Sequence, residues 1–314
     1  MRVALMIPPG CPLGRVPDIA RQAEAYGFDL LACGEHVFFH GPTPNAFIAL
    51  AAAAGATTRL RLLSALTIVP VYPAALAAKM IATLDGVAGG RFELGVGVGG
   101  EFPAEFEACG VPVGERGSRT DEALTVIGRL LSGKPVSFAG RHTVLDGQRL
   151  QPPPVQRPRP PVWIGGRREA SMRRAGRYGD GWLPYLITPE RLASGMSAVR
   201  AEAAASGRAA GDVRGGVFCW AATDADGAWA RRTVAGAVSA MYQQDLRPRA
   251  GQYLVGGTPA EVAARLREYA EAGAETVVFA PACENEDFPR VVRTFAEDVL
   301  PGLHGEPGEG AADA

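Results

Sequence analysis

The sequence predicts an α/β fold built around a parallel sheet, and two observations carry that prediction. Short apolar segments of β-type composition alternate with longer segments of helical period, an alternation typical of strands joined by crossover helices. The unit repeats nearly eight times, and each short segment is apolar throughout, as expected for strands buried on both faces. The predicted strands are Val3–Ile7, Asp29–Cys33, Leu60–Leu66, Phe92–Val98, Val162–Gly165, Gly181–Leu183, Gly215–Trp220 and Thr276–Ala280.

The helical segments place apolar residues three and four positions apart, and the last of them has clear boundaries. Thr258 is suited to the N-cap, Pro259 to the first turn and Glu261 to the reciprocal capping bond. Gly273 follows as a C-terminal stop. A helix is therefore predicted between these signals.

Two stretches interrupt the alternation, near 134–161 and 223–257. The first contains a predicted hairpin around Gly140 and then six prolines in ten residues, which indicates an extended surface crossing. The second is long enough for an additional helix near the mouth of a barrel. We expect one domain over 1–300 and, in 301–314, a disordered tail rich in Gly, Pro and Ala.

Composition excludes several classes of function. The 314 residues carry 32 Lys and Arg against 33 Asp and Glu, a net charge of −1 that would attract neither nucleic acid nor anionic lipid. No segment reaches about 18 uncharged apolar residues, the length needed to cross a membrane. The 5 cysteines lack a C-x-x-C pair and are expected to be reduced in the cytoplasm. With 4 histidines and no H-E-x-x-H motif, no metal site is expected, and a small molecule is the expected partner.

The first candidate for chemistry is Gly34-Glu35-His36, directly after the second predicted strand. Side chains at the carboxyl ends of parallel strands converge on one face. A histidine suits proton transfer near neutral pH, and an adjacent carboxylate could orient it. The alternative is that His36 only hydrogen-bonds a loop.

The second candidate is the glycine run 94–100, in which Gly95, Gly97 and Gly100 match the dinucleotide fingerprint G-x-G-x-x-G. A Rossmann site needs a helix directly after the glycines, whereas Glu101-Phe102-Pro103 interrupts here. The better interpretation is that missing side chains let a flat ring approach the backbone.

The third candidate is Gly165-Gly166-Arg167, between a strand and a helical segment. Glycines at a helix N-terminus expose backbone N–H groups at the positive end of the helix dipole, which suits a phosphate. A tight turn with solvated arginines is the alternative.

Taken together, these residues resemble the bacterial luciferase-like oxidoreductase superfamily, and within it the deazaflavin (coenzyme F-420)-dependent oxidoreductases. The resemblance runs from Val3 to about Leu300. The blocks that carry it are Lys79–Asp85, Gly89–Phe92, Leu94–Gly99, Gly110–Pro112, Arg116, Arg119, Asp121-Glu122, Pro161–Gly166 and Gly179–Trp182.

The resemblance implies a (β/α)8 TIM barrel with insertions, a homodimer packed through early helices, and a deazaflavin or flavin mononucleotide (FMN) at the C-terminal face. It implies that Glu35 and His36 flank the deazaflavin ring, with His36 donating or accepting a proton. The implied cofactor-binding residues are Ser64 and Ala65 at a non-prolyl cis peptide, Gly97, Val98 and Gly99 beside the ring, and Gly165, Gly166 and Arg167 at the phosphate.

Substrate choice is expected at positions where this chain departs from the family's pattern. Gly100 replaces an aromatic or acidic residue found in many relatives, with Glu101 one position later, and the loop 40–44 is individual to this sequence. Substrate choice is also expected in Glu101–Val113 and in the region around Trp220–Tyr253, and the expected substrate-pocket residues are His40, Glu101, Tyr185 and Trp220.

The function so implied is hydride transfer between C5 of coenzyme F-420, an 8-hydroxy-5-deazaflavin, and a small organic substrate. An FMN-dependent two-component monooxygenase, supplied with reduced flavin by a separate reductase, is the alternative within the superfamily. From another class, the chain could be a non-catalytic flavin- or deazaflavin-binding protein. The Glu35-His36 pair and the glycine run argue against loss of catalysis.

Overall fold

Eight parallel strands close into a barrel in the computed structural model, which describes residues 1–304. The strands of the chain are β1 (Arg2–Met6), β2 (Leu30–Cys33), β3 (Arg61–Ser64), β4 (Thr67–Ile68), β5 (Phe92–Gly97), β6 (Val136–Ala139), β7 (Val144–Gln148), β8 (Val162–Gly165), β9 (Gly181–Leu183), β10 (Arg214–Thr223), β11 (Val255–Gly257) and β12 (Ala274–Pro281). The barrel order is β1-β2-β3-β5-β8-β9-β10-β12, and β12 pairs with β1 to close it. The predicted (β/α)8 barrel is therefore confirmed.

Helices follow the barrel strands and cover them. They are α1 (Val16–Ala25), α2 (Ala46–Ala56), α3 (Ala74–Val87), α4 (Pro103–Ala108), α5 (Arg116–Leu131), α6 (Glu169–Tyr178), α7 (Pro189–Ala205), α8 (Gly227–Tyr242), α9 (Ala250–Tyr253), α10 (Pro259–Glu271), α11 (Phe288–Asp298) and α12 (Leu300–His304). In α10 the capping box is formed as expected, since Thr258 N donates to Glu261 Oε2 at 2.8 Å and Glu261 N donates to Thr258 Oγ1 at 3.4 Å. None of the helices in the described part of the chain is both long and apolar enough to cross a bilayer.

One strand prediction was wrong in its extent. The segment Leu60–Leu66 does not form one strand: β3 ends at Ser64, and Thr67–Ile68 resumes as β4 against β5. Between them the backbone leaves the ladder at Ala65 and Leu66. Composition could not reveal this break, because the whole segment is apolar enough to be a buried strand.

The two interrupting stretches contain additional elements. The strands β6 and β7 pair as an antiparallel hairpin around Gly140, where the hairpin was predicted. The proline-rich crossing behind it is tied down by the buried Asp85 carboxylate, which accepts hydrogen bonds from the backbone N–H groups of Val155 and Gln156. The second stretch forms α8, α9 and β11.

The last described helix continues past the predicted domain boundary at residue 300. Residues 301–304 belong to α12, and Leu303 is buried against the barrel, so the prediction of disorder was wrong for these four residues. The N-terminal ammonium of Met1 donates to Leu303 O at 2.9 Å, which anchors this last turn. Residues 305–314 lie outside the described residues.

The barrel interior holds one buried carboxylate near the N-terminal ends of its strands. Glu93 on β5 is 1% exposed and accepts hydrogen bonds from Arg2 Nη1 (2.8 Å), Arg61 Nε (2.7 Å) and Trp163 Nε1 (2.7 Å). Burial raises the pKa of Glu93, but these donors outweigh it and lower the pKa to about 2. The ionised carboxylate thus joins β1, β3, β5 and β8.

Replacing Glu93 by Gln is expected to lower the free energy of unfolding at pH 7 by about 3 kcal/mol, because the partly buried guanidinium groups of Arg2 and Arg61 lose a buried counter-charge. Since the pKa is depressed on folding, the stabilisation is complete above the unfolded pKa near 4.5 and is lost as pH falls toward about 2. Urea unfolding from pH 7 to pH 2 measures this. The exposed Glu297→Gln is the control. A Glu93→Gln variant with the wild-type acid dependence would contradict the assignment.

Candidate active site

The mouth of the barrel, at the carboxyl ends of the strands, holds a histidine fixed by a buried carboxylate. His36 Nδ1 lies 3.2 Å from Glu105 Oε2, and the same oxygen accepts a hydrogen bond from Val37 N at 3.1 Å. Glu105 is 0% exposed, whereas 20% of the His36 side chain is exposed. Because an ionised carboxylate only accepts, the contact places a proton on Nδ1 and leaves Nε2 of the neutral ring as the proton acceptor.

Glu35 was expected beside the ring together with His36, but its side chain points to the side of the backbone opposite to His36. Its carboxylate accepts hydrogen bonds from Ala46 N (3.1 Å), Ile68 N (3.0 Å) and Tyr72 Oη (3.2 Å). Neighbouring residues on an extended chain point in opposite directions, so only one of the pair can face the mouth. Burial is the main cause that raises the pKa of Glu35. The structure thus places Glu35 as a support that joins β2 to α2 and β4.

The break after β3 forms a bulge at the mouth, defined as Ser64-Ala65-Leu66. The non-prolyl cis peptide lies between Ala65 and Leu66, so its predicted place between Ser64 and Ala65 was wrong by one residue. Ser64 still belongs to the ladder, since it pairs with Cys33 on β2 and Ala65 N donates to Cys33 O at 2.7 Å. The Ser64 hydroxyl also accepts from Gly95 N at 2.9 Å and donates to Gly95 O at 3.1 Å.

The glycines around the bulge make room for it. A Cβ on Gly95 would lie 1.9 Å from Ser64 O, one on Gly97 would lie 3.2 Å from Leu66 Cβ, and one on Gly165 would lie 1.9 Å from Leu66 Cδ1. Ser64 and Leu66 therefore fill the space beside these glycines. The expectation that the missing side chains leave backbone open to a flat ring was wrong at Gly95 and Gly97. Leu66 remains half-buried at the mouth.

The other two residues expected beside the ring differ in environment. Val98 is half-buried, whereas Gly99 is exposed and has a positive φ of 63°. A Cβ on Gly99 would lie 2.9 Å from both Ile68 Cγ2 and a ring carbon of Phe106. The glycine run therefore exposes backbone at the mouth only near its end, at Val98 and Gly99.

The predicted phosphate turn lies between β8 and α6. Gly166 has a φ of 93°, and its carbonyl accepts from Trp182 Nε1 at 2.8 Å. The Arg167 guanidinium donates to Leu186 O at 3.1 Å and lies 5.2 Å over the Tyr185 ring. The arginine therefore braces the neighbouring loop while remaining at the N-terminal end of α6.

The four expected substrate-pocket residues lie around the same mouth. Tyr185 and Glu101 contact each other, whereas His40 and Trp220 contact other aromatic residues. Tyr185 Oη donates to the Glu101 carboxylate. His40 lies edge-on to Phe102 at 5.6 Å, and Trp220 Nε1 donates to Tyr242 Oη at 3.4 Å. Burial raises the pKa of Tyr185 above its usual value, and Glu101 raises it further. The phenol hence stays protonated and donates.

Sequence reasoning missed Glu105, the carboxylate that holds His36. A weak signal was present: Phe102-Pro103 opens a short helix just after a strand end, and Glu105 lies in its first turn. Phe39 was missed as well, because nothing in its local sequence separates it from core aromatic residues, whereas Tyr242 lies within the region 220–253 expected to contribute to substrate choice.

Solved structures share this architecture over nearly the whole chain. A monooxygenase from Streptomyces bottropensis is 25% identical, with a TM-score of 0.84 over 96% of this chain and 99% of that chain. A coenzyme F-420-dependent secondary alcohol dehydrogenase, solved with an F-420-acetone adduct, is 22% identical (TM-score 0.82, 96% and 98% covered). The oxygenating component of 3,6-diketocamphane monooxygenase from Pseudomonas putida, solved with FMN, is 18% identical (TM-score 0.78, 96% and 98% covered).

Among curated proteins, one from Mycobacterium tuberculosis, described as uncharacterized, is 34% identical over 160 residues. The match covers 51% of this chain and 54% of the relative, so the chain spans about half the length of the curated relatives it matches.

The sequence pattern of the family described as luciferase-like monooxygenase matches residues 1–276. That range includes His36, Glu105, the bulge and the turn before α6. The chain belongs to the luciferase-like monooxygenase family, as its closed parallel barrel and the residues at its mouth had indicated.

Proposed function

We propose that the protein is a deazaflavin-dependent oxidoreductase that transfers a hydride between C5 of coenzyme F-420 and a small organic substrate. The observation that carries the proposal is the contact of His36 Nδ1 with the buried Glu105 carboxylate. A carbonyl that accepts a hydride also needs a proton at oxygen, and an alcohol that loses one must release its proton. Nε2 of the neutral His36 ring can accept the proton of an alcohol, and the imidazolium formed in this way can donate a proton from the same atom to a carbonyl oxygen.

The residues at the mouth fit a ring carrying a phosphate. The turn at Gly166 and Arg167 precedes α6, whose first N–H groups and dipole would bind the phosphate. The half-buried Leu66 side chain would contact one face of the ring. When bound, the deazaflavin supplies a hydride acceptor or donor at C5. Glu105 holds the imidazole, and the apolar bulge excludes water from its surroundings.

A second candidate is an FMN-dependent monooxygenase, which would need a separate reductase as a partner. It is favoured by the family's description and by the monooxygenase from Streptomyces bottropensis. The dehydrogenase solved with an F-420-acetone adduct supports the first candidate, since it joins the same fold to hydride chemistry at a ketone.

Two fluorescence titrations of cofactor-free protein test the cofactor. We expect coenzyme F-420 to bind at least about tenfold more tightly than FMN in the same buffer. This factor corresponds to a difference of about 1.4 kcal/mol in binding free energy. Tighter binding of FMN would contradict the proposal and direct the search to oxygen-dependent reactions and a reductase.

We also propose that two copies associate through α2 and α3. Ile48 (70% exposed), Leu76 (50%) and Val87 (57%) form an apolar face there, and Lys79 is the charged residue exposed on it. Apolar faces of this kind on paired helices are typical of twofold interfaces.

Replacing Leu76 by Glu is expected to convert a dimer to a monomer, because a charge would be buried at the centre of this face. Sedimentation velocity at micromolar concentration measures the change. Val144→Glu, at a 76% exposed position on the hairpin, is the control and should leave the mass unchanged. A wild-type protein that sediments as a monomer would refute the interface.

A further inference from the structure

A continuous surface of aromatic rings lines one side of the mouth, and we call it the aromatic wall. Backbone pairing places Tyr185 next to Phe218, and from Phe218 onward each ring lies beside the next, with centroid distances of 4.9, 6.4, 6.2 and 4.2 Å. Its members, in order, are Tyr185, Phe218, Trp220, Tyr242, Phe39 and His36.

Four separate parts of the fold build the wall, and Tyr185 comes from the loop after β9. Phe218 and Trp220 lie two residues apart on β10, so both face the barrel interior. Tyr242 ends α8, and Phe39 comes from the loop after β2. Trp220 is buried, but Phe218, Tyr242 and Phe39 are only half-buried. The wall therefore presents ring surface at the mouth instead of filling the core.

The charged groups that contact the wall are already engaged. Glu105 is bonded to His36 and Glu101 to Tyr185. Arg167 is bonded to backbone carbonyls and lies in the turn proposed for the cofactor's phosphate, which would take up its charge. An anionic ligand would have to lose its hydration against aromatic rings, which is costly without a new counter-charge. Polar groups remain for a neutral ligand: burial raises the pKa of Tyr242 to about 12, so its hydroxyl keeps its proton.

We propose that the aromatic wall binds a neutral, flat, fused-ring ketone, or the secondary alcohol formed from it, and places its oxygen near His36. The inference rests on the proposed function, because it names the substrate class of the same site. Aromatic rings prefer offset-stacked or edge-to-face neighbours with centroids 4.5–7 Å apart, and the three centroid distances between Phe218 and Phe39 lie in this range. A planar ring can continue this packing, whereas a puckered ring of equal size cannot.

Binding of 1-tetralone and 1-decalone to the cofactor-loaded protein, measured by calorimetry, tests the proposal. The two ketones share one skeleton and differ in whether a ring is aromatic. We expect 1-tetralone to bind at least about fivefold more tightly, the factor expected for one or two aromatic contacts. A carboxylated tetralone should bind at least about tenfold more weakly than 1-tetralone. Equal binding of the two ketones, or preference for the anion, overturns the proposal.

Two variants test whether the wall is responsible. Phe39→Leu and Tyr242→Leu each remove one ring and are expected to reduce the preference for 1-tetralone about threefold. Phe138→Leu, on the hairpin, is the matched control and should keep the wild-type preference. Because Phe39 lies in a loop, its variant is expected to fold even if the Tyr242 variant does not. A preference unchanged in Phe39→Leu overturns the proposal.

Titration of the same samples with coenzyme F-420 and FMN separates this inference from the proposed function. Preference for FMN together with preference for 1-tetralone contradicts the deazaflavin and supports the substrate class. Tight binding of F-420 without discrimination between the two ketones supports the cofactor and overturns the substrate class.

Discussion

Replacing His36 by Ala is expected to lower kcat by about a hundredfold to ten-thousandfold, the range for loss of a positioned general acid or base. The affinity for the cofactor should stay within about threefold, because the turn at Gly166 that we propose for the phosphate and the bulge are untouched. Steady-state kinetics and cofactor titration measure the two effects separately. His142→Ala, which alters a histidine on the hairpin side, is the control and should retain wild-type turnover.

Glu105→Gln tests how His36 is held. The amide keeps the size of the side chain but removes the charge 3.2 Å from Nδ1, so we expect kcat to fall by about tenfold to a hundredfold. If the two residues act as one unit, the double variant will be no worse than His36→Ala alone. Additive losses would show that Glu105 acts independently.

Turnover unchanged in His36→Ala would contradict the proton role of His36. Cofactor binding by the wild-type protein with no detectable turnover would favour a non-catalytic binding protein.

Replacing Gly95 by Ala is expected to lower the free energy of unfolding by at least about 3 kcal/mol and to abolish cofactor binding. The new Cβ would lie 1.9 Å from Ser64 O, and the Ser64 hydroxyl is bonded to both backbone groups of residue 95, so the bulge cannot shift without losing these bonds. Chemical unfolding and cofactor titration measure both effects. Gly128→Ala is the control, because no atom lies within 4 Å of its Cβ on α5; it should stabilise the helix by about 0.5–1 kcal/mol.

If the Gly95→Ala variant does not fold, Gly165→Ala provides the same test. Its Cβ would lie 1.9 Å from Leu66 Cδ1, the end of a side chain. Adding Leu66→Ala should relieve the clash and restore stability, though not the contact that Leu66 offers to the ring. Tolerance of Ala at Gly95 without loss of stability or binding would refute the role of these glycines.

The arrangement of strands and several helix ends could be predicted because their causes are local. Strands buried on both faces must be apolar, and Val162–Gly165 and Gly181–Leu183 were predicted with the bounds that the structure has. The Thr258 capping box likewise depends on residues three positions apart. The phosphate turn and His36 were identified as candidates because a glycine pair and a histidine directly follow strands.

The composition of the site depended on tertiary structure. Glu105 lies 69 positions from His36, and their contact follows from barrel closure, which brings the segments after β2 and β5 to one face. The bulge ends β3 inside an apolar segment, and only packing against Gly95, Gly97 and Gly165 shows which peptide leaves the ladder. Sequence periodicity thus determined which segments become strands and helices, while the meeting of distant side chains was decided by strand order and register, which no local pattern contains.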